Sequence, residues 1–234
     1  MIARFEELDW QQTRMGELTL RRRADPATQE LIYEVKLGDE YLMSSLFTVA
    51  EEQLATLGLA AAQGADLSVL VGGLGLGYTA VAALRDERVR RLEVIDALPA
   101  VIGWHERELL PVSSELVGDA RTTLVEDDFF AVVRGEPSHD KAPYDVILLD
   151  VDHSPRHTLD PSHADLYSEK GLRSLARHLS VGGVFALWSD DPPDEQFMAT
   201  LEAVFTQCRA HEVTFANRLT GGTSANTVYV GIRP

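Results

Sequence analysis

Two stretches of the chain gather residues able to do chemistry. In VLVGGLGLGYTA, residues 69–80, an apolar run ends in Gly73-Leu74-Gly75-Leu76-Gly77 and a helical pattern follows. Glycines at such a junction let a ligand come close to the backbone, where the first amides of a helix are free to donate. In YDVILLDVDHSP, residues 144–155, a buried strand pattern delivers Asp150 and Asp152. Paired carboxylates at a strand end can hold a cationic amine and accept its proton; capping of the following loop is the plainer role for the same side chains.

Two more carboxylates stand at strand ends between these stretches. Asp96 closes RRLEVID nineteen residues after Gly77, where a carboxylate can accept both hydroxyls of a ribose, or can face solvent. Asp127 follows TTLVE, where it can receive an adenine amino group. The glycine spacing is G-x-G-x-G, because the third position of the dinucleotide pattern G-x-G-x-x-G falls on Tyr78. That spacing favours S-adenosylmethionine over NAD, although a glycine turn that merely packs a helix on a strand would read the same way. His153, His157 and His163 follow Asp150, but their spacing matches no metal-ligand motif, so no metal is expected. Trp104, Trp188 and the Phe129-Phe130 pair read as core or pocket wall.

The pattern along the chain supplies elements to position these groups. Before residue 47, ELTLRRRA, TQELIYEVKLGD and EYLMSS read as three short strands of a small antiparallel appendage, residues 1–47. Thr48 with Glu51 three residues later is a capping-box signal for a helix reaching Gly64. From Leu67, five apolar runs alternate with helical stretches over Tyr78 to Leu84, Leu98 to Leu110, Phe129 to Val133, Asp165 to Leu179 and Asp194 to Cys208. Five such units predict a mostly parallel sheet with helices on both faces, a Rossmann-like α/β domain spanning residues 48–234. AHEVTFANRL and ANTVYVGIR, joined around Gly221-Gly222, predict a C-terminal strand pair that closes the sheet antiparallel.

Composition narrows the function classes. With 21 basic against 37 acidic residues the formal charge is -16, which repels phosphate backbones and anionic membranes and draws in cations. Nucleic acid is not an expected partner. A single cysteine, Cys208, excludes an intrachain disulfide and a thiolate zinc site, and no apolar run reaches membrane-spanning length. A cytoplasmic protein is expected.

These residues, from Thr48 to Gly183, resemble the polyamine aminopropyltransferases, the spermidine synthase family, and LYSEKGLRSLARHLSVGGVFALW is similar to the family's fifth β-α region. The resemblance implies a small N-terminal β domain on an S-adenosylmethionine-transferase fold, with decarboxylated S-adenosylmethionine or S-adenosylmethionine as the cofactor. By motif position, Gly73, Gly75 and Gly77 cradle it, Asp96 binds ribose, Asp127 binds adenine and Asp150 serves the amine nucleophile, with Asp152 as second carboxylate. A homodimer through the N-terminal strands is also implied. The chain departs from the family in three places. Gly75 stands where the family has an aspartate for the aminopropyl ammonium, and Asp150-Val151-Asp152-His153-Ser154-Pro155 replaces D-S-S-D-P. Leu42 and Ala50-Glu51 stand near the family's N-terminal glutamine and its Tyr-His or Tyr-Gln pair. Three readings are open at this point: aminopropyl transfer to a diamine such as putrescine, methyl transfer from S-adenosylmethionine, and a non-catalytic adenosyl-binding protein.

Overall fold

The computed structural model describes residues 5–26, 28–138 and 142–234. Four strands, β1 (Phe5–Thr13), β2 (Gly16–Ala24), β3 (Leu31–Leu37) and β4 (Glu40–Ser44), form an antiparallel meander in that order. The sequence pattern gives only three of them. It misses β1 because FEELDWQQT is polar at most positions and never fully buries a side chain. Leu18, Leu20, Tyr33 and Val35 from one face of this sheet join the core of the larger domain.

The larger domain begins with α1 (Val49–Ala61) and continues through β5 (Leu67–Gly72), α2 (Tyr78–Leu84), β6 (Val89–Asp96), α3 (Pro99–Glu106), α4 (Ser113–Gly118), β7 (Thr122–Glu126) and α5 (Phe129–Arg134). It ends with β8 (Tyr144–Leu149), a 3₁₀ turn over Pro161–Tyr167, α6 (Glu169–Ala176), β9 (Leu179–Ser189), α7 (Glu195–Glu202), β10 (Thr206–Asn217) and β11 (Gly222–Ile232). The seven main strands lie in the order β10-β11-β9-β8-β5-β6-β7. β7, β6, β5, β8 and β9 run parallel, while β11 is antiparallel to both its neighbours. The expected Rossmann-like architecture is therefore present, with its closing antiparallel pair.

Three expected helices are shorter than their apolar spacing implied. The helix expected over Leu98 to Leu110 stops at Glu106 because Glu108 turns the chain with φ 53°, and a separate α4 follows. Upstream of Glu169 the Asp165 to Leu179 stretch is a 3₁₀ turn, and Ser168 starts α6 by accepting the Gly171 amide. The last helix yields at Thr206 to β10, whose pairing with β11 outweighs local helical preference.

Side-chain alternation divides the core. Val146 and Leu148 of β8 and Val184 and Ala186 of β9 face α1, whereas Ile147, Leu149, Phe185 and Leu187 face α5 to α7. Because β5 lies between β6 and β8, successive strands are added first on one side of it and then on the other. In such sheets the crevice beyond the strand C-termini at that reversal is where ligands bind. α1 approaches the sheet closely at Gly58, where an added Cβ would lie 2.7 Å from Leu148 Cδ2 and 3.3 Å from Ala186 Cβ. Gly58→Leu should lower unfolding free energy by about 1–3 kcal/mol through overpacking. An unshifted urea midpoint in that variant would mean the α1 seam is looser than this contact implies.

Candidate active site

The loop from Gly73 to Gly77 leaves β5 and enters α2 with Gly73, Gly75 and Gly77 at φ 92°, 47° and 89°. At Gly73 the constraint is steric as well as torsional, since a Cβ would sit 2.0 Å from the Asp150 carbonyl oxygen. The two strand ends can meet only through a glycine. At Gly75 a Cβ would come 2.9 Å from Met43 Sδ, so β4 closes over the place where the resemblance would put an aspartate.

Buried side chains fix this loop from below. Asp96 Oδ2 accepts the Leu74 amide at 2.9 Å and Oδ1 accepts the Leu98 amide at 2.8 Å. Burial pushes the Asp96 carboxyl up, and the amides of Leu98, Leu74 and Gly75 pull it back. Asp96 thus braces the loop with both oxygens, a task the sequence does not reveal. His105 is fully buried, and its Nε2 lies 3.0 Å from the Gly75 carbonyl with Nδ1 3.1 Å from Ser113 Oγ. Burial holds this imidazole pKa low, so the ring is neutral at pH 7; Nε2–H donates to Gly75 and the Ser113 hydroxyl donates to Nδ1.

Asp127 is exposed at the end of β7, where its amide donates to the Asp96 carbonyl at 3.2 Å. Its Oδ1 accepts the Asp128 amide at 2.8 Å, and Asp128 in turn caps α5 by accepting the Ala131 amide at 3.1 Å. Asp96, Asp127 and Asp150 therefore stand at the C-terminal ends of β6, β7 and β8, which flank β5 and its glycine loop. Cradle and carboxylates suit an adenosyl group: close backbone approach at the loop, with polar anchors along one edge.

Asp150 is locked to that loop by its amide, which donates to the Gly72 carbonyl at 2.8 Å. Its Oδ2 accepts the Thr79 hydroxyl at 2.7 Å. Burial pushes its carboxyl up to about 6, with the Thr79 hydrogen bond acting in the opposite direction. The same hydroxyl lies 3.3 Å from the Glu51 carbonyl, tying the first turn of α1 to Asp150. Glu51 is pushed up to about 8, first by burial and then by the Asp150 charge. The capping box expected between Thr48 and Glu51 does not form; Thr48 Oγ1 instead donates to Glu52 Oε1 at 3.2 Å. The Glu51 carboxylate instead accepts its own main-chain amide and lies near enough to Asp150 to feel its charge, a placement its sequence context concealed.

Asp152, expected beside Asp150 as a catalytic carboxylate, stands elsewhere. It is buried, with Oδ1 accepting the Leu159 amide at 2.7 Å and His163 Nδ1 at 2.8 Å, and Oδ2 accepting the Tyr167 hydroxyl at 2.7 Å. Three residues past β8 the strand alternation has ended, and the chain folds so that this side chain organises the loop from within. His163 stacks on Phe130 at 3.7 Å between ring centroids, His153 reaches Glu40 Oε1 at 3.2 Å and His157 reaches Asp191 Oδ2 at 3.2 Å. The histidines thus pin the loop at separate points. Trp188, on the α1 side of β9, buries an indole N–H without a partner among the described residues.

No family profile matches the chain. Over 129 residues, 53% of this chain, it is 33% identical to polyamine aminopropyltransferase 2 of Streptomyces coelicolor; the match spans 22% of that relative. A spermidine synthase in complex with the transition state analogue AdoDATO superposes with TM-score 0.74 at 18% identity, covering 97% of this chain and 74% of that one. The Thermotoga maritima spermidine synthase gives TM-score 0.72 at 17% identity, covering 97% and 72%. The fold is that of the spermidine synthases. Human methyltransferase-like protein 13 in complex with SAH shares the α/β part, with TM-score 0.56 at 19% identity over 78% of this chain and 81% of that one.

Asp152→Ala should cost on the order of 2–4 kcal/mol of stability in urea unfolding, because three donors lose their acceptor. Binding of methylthioadenosine under native conditions should change less than about threefold, the variant remaining folded there. Full stability combined with lost turnover would return Asp152 to the chemistry.

Proposed function

We propose that this protein transfers an aminopropyl group from decarboxylated S-adenosylmethionine to a small amine such as putrescine. The observation that carries the reading is Asp150, a carboxylate half-buried against the glycine loop, oriented by Thr79 and raised to about 6. Such a group is mostly ionised at neutral pH yet basic enough to take a proton. An acceptor ammonium with a pKa of about 10 cannot attack until it loses one. The sulfonium supplies an activated carbon–sulfur bond. The chain's own work is alignment of the amine, exclusion of water and acceptance of the proton at Asp150. Asp127 would receive the adenine amino group. Asp96 would accept ribose hydroxyls on lone pairs that its two backbone amides leave free.

One observation favours methyl transfer as a second reading. Gly75, covered by Met43, presents no anion to an aminopropyl ammonium and no charge to repel a methionine carboxylate. The two reactions differ in product, methylthioadenosine against S-adenosylhomocysteine. Binding of either thioether without turnover of either cofactor would leave the non-catalytic reading.

β1 forms one edge of the N-terminal sheet and exposes Phe5 and Trp10, which supports a homodimer through this region. Light scattering well above micromolar concentration should give twice the chain mass, and a monomer there would remove the dimer. No helix among the described residues is long and apolar enough to cross a membrane.

The test is product release from decarboxylated S-adenosylmethionine and putrescine. Asp150→Asn should lower turnover by about 10²–10⁴-fold, the range of a lost general base, with the adenosyl ligand still bound. Asp96→Ala should instead weaken that ligand by about 1.5–3 kcal/mol, having removed the brace of the loop along with any ribose contact. Wild-type protein that binds the cofactor yet releases no methylthioadenosine with any diamine would sink the aminopropyl reading.

A further inference from the structure

Resting on that reading, we propose that Glu51 is the second carboxylate of the acceptor site, receiving the amine beside Asp150 in the role expected of Asp152. Three independent features of the geometry lead to it. Asp152 is withdrawn, with both oxygens spent on buried donors. Glu51 is freed from capping because Thr48 engages Glu52. Thr79 Oγ1, which donates to Asp150 at 2.7 Å, lies 3.3 Å from the Glu51 carbonyl, so the first turn of α1 packs beside the reacting edge.

The surroundings of Glu51 are anionic. Asp150 at the end of β8, Asp190 after β9 and Glu52 on the same helix each repel its charge, and Tyr78 of α2 lies within reach of its field. Glu52 is itself paired with Arg85 at 3.2 Å, and Asp190 accepts the Asn226 amide at 2.7 Å. No cation among these neighbours is aimed at Glu51, and a protonated amine would supply the missing one. Without it, Asp150 and Glu51 hold one proton between them at pH 7, Asp150 carrying the charge.

In the reaction the acceptor ammonium gives one proton to Asp150. The freed nitrogen lone pair forms the N–C bond as the C–S bond breaks, and that bond's electron pair returns to sulfur in the departing thioether. The product is a secondary ammonium, and Glu51, whose proton leaves to solvent when the cationic amine binds, balances its charge.

The pair also ties stability to pH. Glu51 rises from an ordinary 4.5 to about 8 on folding, so its contribution is complete below about pH 4.5 and is lost as pH rises through about 8. Glu51→Gln carries no such loss. Its melting temperature relative to wild type should therefore increase from pH 5 to about pH 8 and level off above that.

The deciding experiment is calorimetric titration of putrescine into wild type and Glu51→Gln, each saturated with methylthioadenosine, with thermal melts of both across that pH range. We expect putrescine affinity to fall by about 10–100-fold in the variant, methylthioadenosine affinity to change less than about twofold, and the melting difference to grow with pH. In turnover the loss should lie mainly in amine KM, and the limb of the pH profile near 8 should vanish while the limb near 6 remains. Equal putrescine affinity in the two proteins, or a melting difference that does not depend on pH, overturns the role of Glu51. Wild type that binds methylthioadenosine but no amine overturns the aminopropyl reading itself, a different result from the first.

Discussion

The Gly73 backbone and the Asp150 carbonyl approach so closely that an added Cβ would stand 2.0 Å from the oxygen. Most of the site depends on that contact. Adjacent parallel strands bring the glycine loop and the carboxylate together, and side chains are excluded from the seam, so the Asp150 carboxylate is held in a buried setting where its charge is costly. Thr79 offsets part of that cost with one charge-directed hydrogen bond at 2.7 Å. Burial that would be a defect in a structural carboxylate suits a base, because it raises affinity for a proton toward working pH.

Rigidity around this point is supplied by polar groups, one of which, Asp96, also belongs to the proposed ligand site. Asp96 and His105 hold the glycine loop, and Asp152 with Tyr167 and His163 holds the loop after Asp150. Trp104 and Arg107 of α3 both donate to Asp9, so the N-terminal sheet is anchored to the helix that carries His105. The sheet closes over the glycine loop through Met43 and Glu40, the latter reaching His153. The small domain, the glycine loop and the acceptor loop are thereby one packed assembly.

How much of this was legible in the sequence follows from the range of the forces involved. Alternating apolar runs fix the parallel sheet because burial of each strand is repeated along its length, and Gly73, Asp96, Asp127 and Asp150 fall at strand ends by counting. β1 escaped because its stability comes from pairing with β2 rather than from an apolar face. The setting of Asp152 was not legible because strand periodicity says nothing about a side chain three residues past a strand, where the hydrogen bonds from Leu159 and His163 decide. Glu51 was hidden by a local signal that is satisfied in another way: Thr48 has two acidic residues within one turn and engages Glu52, while the packing of α1 against Thr79, which brings Glu51 near Asp150, is tertiary.

The central claim is that Asp150 and Glu51 form a coupled carboxylate pair at the reacting edge. Carbon-13 NMR of the side-chain carboxyl groups, followed from pH 3 to pH 10 in the ligand-free protein, tests it most directly. Two transitions of the coupled pair, near 6 and near 8, with the one near 6 removed by Asp150→Asn and the one near 8 shifted down but still above the solvated range, are the expected result. Independent titration of both carboxyls near about 4, the ordinary range for solvated side chains, would contradict the account.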